Sequence, residues 1–373
     1  MRRLVRGGAL LVVLVALLAL ALTAAVDGAA PVVGPPATPA LAAVEAGADV
    51  IVAGDPLHHL DPGDPLGTLA YQVDALARAS RLFATSDPAR SQRYISLALN
   101  LADYLVAHDA RAPGHQLGWG LPRAWDAFDD GTVNPRNQVY AFQTALVSWA
   151  LLDAYTVADR PVYLATVERA MAAYLPYGSS HLGLGCSNCF MFWYSTSPND
   201  AGRYVKNTNV LIGLALATLY HLTGKARYQA LARAVYNEET YEIVRHANYS
   251  YFGIRDPQYS PLNGPDAHIV LETFAYSQLA GLLGLSSGKT RATLDRMDAA
   301  FWNCGSACFA GSIKTGPGAP PDEYIQFMTC YPATFDPLYA PHCAKTLAAP
   351  NQPTRSPFPL AGLLYALPDL PAK

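Results

Sequence analysis

A dense group of acidic side chains marks the stretch before residue 134. Three aspartates, Asp126, Asp129 and Asp130, fall within five positions. Crowded carboxylates raise one another's pKa, which helps one of them to stay protonated while another is ionised. Such a pair suits the hydrolysis of a glycosidic bond, which usually needs one carboxylic acid and one carboxylate. The three aspartates are therefore catalytic candidates; the alternative is that Asp-Asp-Gly forms an ordinary turn or a calcium-binding sequence.

A second catalytic group is expected from another part of the chain. Glu272 lies in an apolar segment of helical periodicity, and His268 precedes it by one helical turn. A histidine or tyrosine beside an arginine would favour a different chemistry, in which a base removes the proton next to a uronate carboxylate. The alternative for Glu272 is a buried carboxylate paired with an arginine or tyrosine. The other candidate carboxylates are Asp200, Asp266, Asp322 and Glu323.

Polar side chains gather where apolar helices apparently begin. If these starts converge, they form a polar floor for sugar hydroxyls or a uronate carboxylate, with an arginine or lysine as the cation. Helix capping is the alternative; it explains Asn134 well, but it explains Arg136, Gln138 and Lys206 poorly. The residues are Asn134, Arg136, Asn137, Gln138 and Tyr140 at one start, and Arg203, Lys206, Asn207 and Asn209 at the next.

Aromatic residues are concentrated in the same long connections. A flat ring can stack on the apolar face of a sugar while neighbouring amides and carboxylates bind its hydroxyls; the alternative is that the rings pack the loops onto the protein. The rings predicted to bind substrate are Trp119, Trp125, Trp193 and Tyr194, together with the polar residues Arg136, Asn137, Gln138, Tyr140, Lys206 and Asn207.

These residues lie on a repeat of paired helices. Apolar helices apparently start near Gly67, Asn137, Asn207 and Asp266, about 60 to 70 residues apart. Each is followed by a more charged helix, which favours an inner ring of apolar helices and an outer ring of charged ones. Short turns follow the inner helices, so the long connections, residues 109–134, 178–203, 247–265 and 304–356, fall on one face.

With these elements the chain resembles the (α/α)-toroid carbohydrate-active enzymes, the six-hairpin glycosidase-like group with its related polysaccharide lyases and uronyl epimerases. The resemblance covers about residues 66–367 and rests on helix pairing, on short turns such as residues 222–228, and on polar residues at the inner-helix starts. It implies an all-α toroid or partial barrel of helical hairpins. It also implies a glycoside hydrolase that acts on a polysaccharide or oligosaccharide.

Two other functions stay open beside the hydrolase. One is a polysaccharide lyase or uronyl epimerase that uses His268 or a tyrosine such as Tyr140 as the base, with an arginine as the cation. The other is a glycan-binding envelope protein that is not an enzyme. A carboxylate pair across the central cavity would favour hydrolysis, whereas an open aromatic groove without such groups would favour binding.

Composition limits the remaining functions. The chain has 373 residues, 51% of them hydrophobic and 15% charged, with a formal net charge of -3. This balance lacks the basic surface of a nucleic-acid-binding protein. Phosphate-binding, dinucleotide-binding, HExxH and GxSxG patterns are absent from the sequence, so we expect no cofactor and no metal. The expected domain is residues 66–373, after a Pro/Ala-rich linker or ordered wrap at residues 27–65.

The N-terminus is typical of an export signal. Three arginines precede an uncharged stretch, residues 7–26, so residues 1–26 are a signal peptide or a membrane anchor. Because basic residues favour the cytoplasmic side, the rest of the chain is expected outside the cytoplasm, secreted or anchored.

The six cysteines agree with that location, since an even count in an exported chain favours disulfides. Zinc is the alternative for Cys186 and Cys189, with His342 and Cys343 as further ligands.

Overall fold

The fold is almost entirely helical in the part of the chain that the structure, a computed structural model, describes: residues 38–108, 118–128, 130–180, 186, 188–246 and 267–286. Two short strands, β1 (Gly178–Ser179) and β2 (Met191–Phe192), pair antiparallel, and a single 3-10 turn spans Pro198–Asp200. The helices are α1 (Thr38–Ala53), α2 (Pro65–Phe83), α3 (Pro88–Ala107), α4 (Ala141–Ala158), α5 (Pro161–Tyr174), α6 (Lys206–Thr223), α7 (Ala226–His246) and α8 (Ala267–Leu282).

The helices form two layers, as the repeat predicts. Helices α2, α4, α6 and α8 pack against one another in that order, and α3, α5 and α7 each pack on the inner helix before them. In α4 and α6 nearly every residue of the first three turns is buried, whereas α3 buries one stripe: Tyr94, Ala98, Leu101, Ala102 and Leu105. Because an inner helix touches neighbours on all sides, it is apolar all round, and an outer helix is amphipathic. The all-α toroid is therefore confirmed.

The turns within the hairpins contain residues that cap the neighbouring helices. Asp87 caps α3, with its carboxylate accepting the Arg90 backbone N–H at 3.0 Å, and Pro88 occupies the first turn. Gly224 ends α6 in the left-handed conformation at φ 67°. Asp159 ends α4 in the same conformation, at φ 48°. The predicted short turns after α2, α4 and α6 are confirmed.

Helix α4 begins later than the sequence predicts. The expected start was near Asn137, but residues 134–140 contain isolated bridge pairs and a turn at residues 136–137, and the helix starts at Ala141. Asn137 adopts a left-handed conformation at φ 58°, which a continuous helix does not allow. Asn134 is therefore not a helix cap, and its side chain has a different role in the site.

A helix that the sequence did not predict lies within the Pro/Ala-rich stretch. Helix α1 packs on α2 and α3, with Val44 fully buried. The Tyr94 hydroxyl donates to Asp49 at 2.9 Å, and Arg90 pairs with Glu45 at 2.7 Å. These contacts make residues 38–53 an ordered wrap around the first hairpin.

A buried ion triad joins α2 to α4 below the loops. Arg78 Nε lies 2.9 Å from Asp74, and its terminal nitrogen lies 2.8 Å from Asp153. Burial raises the pKa of Asp74 well above its usual range; burial also acts on Asp153, but Arg78 and the Asp74 hydrogen bond leave the pKa of Asp153 lowered. One proton shared by the two carboxyl groups accounts for both directions.

Several predicted features lie outside the described residues. They include the N-terminal segment 1–26, the more charged helix expected after the fourth inner helix, and the long connections 247–265 and 304–356. None of the described helices is both long and apolar enough to cross a membrane.

Candidate functional site at the loop face

Two long connections interlock above the N-terminal ends of α4 and α6. We name residues 118–140, which precede α4, the first loop, and residues 175–205, which precede α6, the second loop. In the first loop, Trp125 and Asn134 exchange backbone hydrogen bonds of 3.0 and 2.9 Å. The second loop then pairs with it, since the Ala141 N–H donates to the Tyr194 carbonyl at 2.9 Å. Backbone pairing therefore makes the two loops one structure.

Asp200 lies where the loops cross. One of its carboxylate oxygens accepts the Asn134 amide N–H at 2.8 Å and also the Ser195 hydroxyl. The residue is only 1% exposed. Burial raises the pKa of Asp200, although these two hydrogen bonds and Arg203 oppose that shift. Asp200 therefore ties the first loop to the second.

Asp130 has the opposite electrostatic environment. It accepts the hydroxyl and the backbone N–H of Thr132, and it forms an ion pair with Arg203. These hydrogen bonds, and then the guanidinium, lower the pKa of Asp130 to about 2. The expected effect of crowding is wrong for this residue, because its nearest partners are hydrogen-bond donors. Asp130 is ionised at neutral pH.

Asp126 shapes the turn that holds Asp130. Its carboxylate accepts the backbone N–H of Gly131 at 2.7 Å, and those of Phe128 and Asp130 at 3.3 Å. This is the turn that the sequence offered as the alternative to catalysis. Asp129 lies outside the described residues, and its catalytic role stays a prediction.

Four rings form an aromatic cluster beside the carboxylates: Trp125, Phe128, Tyr140 and Tyr194. Neighbouring ring centroids are 5.3 to 5.9 Å apart, with tilted or edge-to-face geometry. Trp125 and Tyr194 are partly exposed, whereas Phe128 and Tyr140 are buried beneath them. The Arg203 guanidinium lies over the Phe128 ring at 4.6 Å. The partly exposed rings thus offer a flat apolar face next to charged groups.

The other two predicted tryptophans are placed differently. Trp119 is fully buried, and its indole N–H donates to the Leu105 carbonyl at 2.9 Å. That position gives Trp119 a packing role and does not support direct substrate contact. Trp193 is partly exposed and meets Tyr177 edge to face at 5.9 Å. Its indole N–H has no acceptor among the residues that the structure describes.

The polar residues at the helix starts do not form one open floor. Arg136 and Asn137 are exposed, and Arg136 donates to the Pro122 carbonyl at 2.7 Å. Gln138 is buried and donates to the Thr196 hydroxyl at 2.6 Å, which adds a side-chain contact between the loops. Lys206 and Asn207 are buried at the start of α6. Arg136 and Asn137 are the exposed members of this group and remain accessible to a ligand.

Several solved structures have an architecture similar to that of this chain. No family model and no curated protein matches the chain. The cellobiose 2-epimerase of Spirochaeta thermophila is similar in structure, with a TM-score of 0.55 and 16% identity over 77% of this chain and 74% of that one. The GH76 α-mannanase of Bacteroides thetaiotaomicron gives 0.54 and 10% over 81% and 84%. The β-1,3-1,4-glucanase of Paenibacillus sp. X4 gives 0.53 and 12% over 80% and 82%.

The fold is the (α/α) toroid that these solved structures share. This confirms the resemblance that the sequence suggested. Identities of 10 to 16% show the toroid alone, so the reaction has to be argued from the side chains of this chain.

Two of the predicted catalytic residues, Glu272 and His268, lie on α8, the fourth inner helix that the structure describes. Glu272 is buried on α8, only 1% exposed, which agrees with the alternative of a carboxylate held inside the protein. His268 falls in the first turn of α8, but its side chain is outside the described set, so its role as a base stays a prediction.

Sequence reasoning missed the part played by Asn209. Its buried amide accepts the Phe192 N–H at 2.6 Å and donates to the Phe192 carbonyl at 3.0 Å, so it holds strand β2 against α6. The signal in the sequence is an amide inside the apolar run that opens α6. Asp200 was considered only as one of several partner carboxylates, because its contacts to the first loop cross 66 positions.

Proposed function

We propose that this chain is a carbohydrate-active enzyme, and more specifically a glycoside hydrolase that acts on a polysaccharide or oligosaccharide at the crossing of the two loops. The observation that carries this proposal is the contrast between Asp130 and Asp200. One carboxyl group has its pKa lowered to about 2 and the other has it raised. Groups with pKa values pushed apart are suited to act as base and acid.

The roles follow from the two environments. Asp200, whose pKa is raised by burial, is assigned as the general acid for the leaving oxygen. Asp130, held ionised by Thr132 and Arg203, is assigned as the base or nucleophile. The partly exposed rings of Trp125 and Tyr194 would stack on a sugar next to these groups.

The structural neighbours support the sugar substrate without choosing the reaction. They include a mannanase, a glucanase and an epimerase. Hydrolysis is preferred here because the described site contains two carboxyl groups of opposite pKa shift. The lyase and epimerase alternatives rest on His268, whose side chain is not described, or on a tyrosine such as Tyr140, which is fully buried and whose pKa burial raises to about 12.

The test is an activity screen of the purified chain on neutral and uronate polysaccharides. New reducing ends without ultraviolet-absorbing products would support hydrolysis; unsaturated products would favour a lyase, and epimerised sugars without new ends an epimerase. Binding without any product would favour a glycan-binding protein. Each of the last three results would overturn the proposed reaction.

Single variants test the catalytic roles that are assigned to the two carboxyl groups. Asp130→Asn and Asp200→Asn should each lower kcat by about 10²- to 10⁴-fold, the range for general acid–base groups. Ser195→Ala removes a hydrogen bond to Asp200 but leaves the carboxyl group in place, so it should retain most activity. Asp159→Asn, the same chemical change at the left-handed turn after α4, is the matched control and should match the wild type. Equal losses in Ser195→Ala and Asp200→Asn would assign Asp200 to loop positioning instead.

We also propose that the protein acts outside the cytoplasm, secreted or anchored through residues 1–26. The charge pattern of this segment supports export. Mass analysis of the protein from fractionated cells tests it: an intact chain in the cytoplasmic fraction would contradict export, whereas a shortened chain outside the membrane would support a cleaved signal.

A further inference from the structure

A cluster of possible metal ligands lies behind the second loop, away from the aromatic cluster. Cys186 and Cys189 belong to this loop, and Glu238 belongs to the outer helix α7. One ligand atom from each lies within 4.8 Å of the others. Cys189 and Glu238 are buried, and Cys186 is partly exposed. The structure joins the two cysteines in a disulfide, with their Cα atoms 5.6 Å apart.

Hydrogen bonds that do not involve the sulfur atoms hold this part of the loop on α7. The Phe190 N–H donates to the Ala234 carbonyl at 3.2 Å, and the Asn237 amide donates to the Asn188 carbonyl at 3.0 Å. A disulfide between residues three apart closes a very short loop, so it removes little freedom from the unfolded chain. The disulfide is therefore not what positions the two cysteines over α7.

The donor atoms of the site suit a metal cation. Glu238 is only 1% exposed, so its carboxylate lies inside the protein beside the two sulfur atoms. Two thiolates and one carboxylate are donors that zinc accepts, and the spacing Cys-x-x-Cys recurs in zinc sites.

We propose that the reduced loop binds one zinc ion through the two sulfur atoms of Cys186 and Cys189 and a carboxylate oxygen of Glu238. A dithiol reductant supplies two electrons and two protons that convert the disulfide into two thiols. Zinc binding then releases the two thiol protons, and water completes the tetrahedron. The sequence offered zinc at Cys186 and Cys189 as the alternative to a disulfide, with His342 and Cys343 as further ligands. Glu238 was not considered, because its spacing from the cysteines does not reveal that they lie together.

The experiment measures metal uptake by the full chain. The protein is reduced with a dithiol, freed of reductant without oxygen, and titrated with zinc and with cobalt. The wild type should bind one equivalent more than the Cys186→Ser/Cys189→Ser double variant, and cobalt should give thiolate charge-transfer absorption. Cys304, Cys308, Cys330 and Cys343 are present in both proteins, so the difference reports this site alone.

Two further variants test the carboxylate. Glu238→Gln should weaken zinc binding at least roughly tenfold, since even groups behind the ligands contribute that much. Glu239→Gln, its equally buried neighbour, is the matched control and should bind as the wild type does. Uptake that is equal in the wild type and the double variant, or unchanged by Glu238→Gln, would overturn the site.

If Glu238→Gln does not fold, X-ray absorption at the zinc edge of the wild-type protein tests the proposed ligands instead. A first shell with two sulfur atoms and lighter atoms supports the site. A shell of four sulfur atoms, or of none, overturns it.

Discussion

Two tryptophans six positions apart in the first loop should respond to mutation in opposite ways. Trp119 is fully buried, and Trp125 is partly exposed in the aromatic cluster. The sequence gives no reason to separate them, and both were predicted to bind substrate. The structure predicts that Trp119→Phe lowers stability and leaves glycan binding unchanged, whereas Trp125→Ala weakens glycan binding and has a smaller effect on stability.

The size of the first effect follows from one hydrogen bond. Leu105 lies in the last turn of α3, where backbone carbonyls have no partner within the helix, and the Trp119 indole N–H supplies one at 2.9 Å. Phenylalanine keeps most of the ring but leaves this buried carbonyl unsatisfied, which costs about 1 to 3 kcal/mol. With a urea m-value of about 2 kcal/mol/M, the unfolding midpoint should fall by ~1 M.

The second effect is one of affinity. A sugar that stacks on Trp125 would lose about 1.5 kcal/mol when the ring is removed, taking the upper value for aromatic pairs, and this corresponds to about tenfold in Kd. Loss of the ring contacts with Tyr140 and Tyr194 should cost about 1 kcal/mol in stability.

Urea unfolding and isothermal titration with a bound oligosaccharide measure the two quantities on the same samples. The reasoning is refuted if Trp119→Phe weakens binding tenfold at unchanged stability, or if Trp125→Ala leaves the affinity at the wild-type value.

The remaining predictions concern the support of the site. Asn209→Ala should lower the free energy of unfolding by about 2 to 4 kcal/mol, because both backbone groups of Phe192 lose their partner; a urea midpoint equal to that of the wild type would contradict this. Gly120→Ala should abolish activity and lower stability, since a Cβ there would lie 1.9 Å from the Gln138 carbonyl oxygen; full activity in this variant would count against the loop pairing. The lowered pKa of Asp130 predicts a stabilising contribution that is complete above the ordinary value of 3.8 and is lost as the pH falls through about 2; acid titration of the wild type against Asp130→Asn should show the two stabilities converging only in that acidic range.

The parts of the fold that the sequence predicted are set by local features of the chain. The start of α3 is set by Asp87 and Pro88, and the end of α6 by Gly224, so each can be read from a few adjacent residues. The inner and outer layers follow from hydrophobic pattern in the same way. These features do not depend on what the chain contacts elsewhere.

The site was harder to predict because its contacts join distant residues. The amide of Asn134 looks like a helix cap in sequence, but it serves Asp200, 66 positions away. The pKa of Asp130 was expected to rise from its acidic neighbours, and it falls because Thr132 and Arg203 are closer, the latter 73 positions along the chain. The distant partners, Asp200 for Asn134 and Arg203 for Asp130, cannot be chosen from spacing alone.

The late start of α4 and the assembly of the site have one physical cause. Backbone groups that a longer helix would have used within itself are instead paired with the second loop, through Tyr140 and Ser195. The same non-helical segment brings Asn134 to Asp200. Loop pairing and the acid–base contrast are therefore coupled. A variant that unpairs the loops should return the pKa of Asp200 toward its ordinary value, since water would reach the carboxyl group.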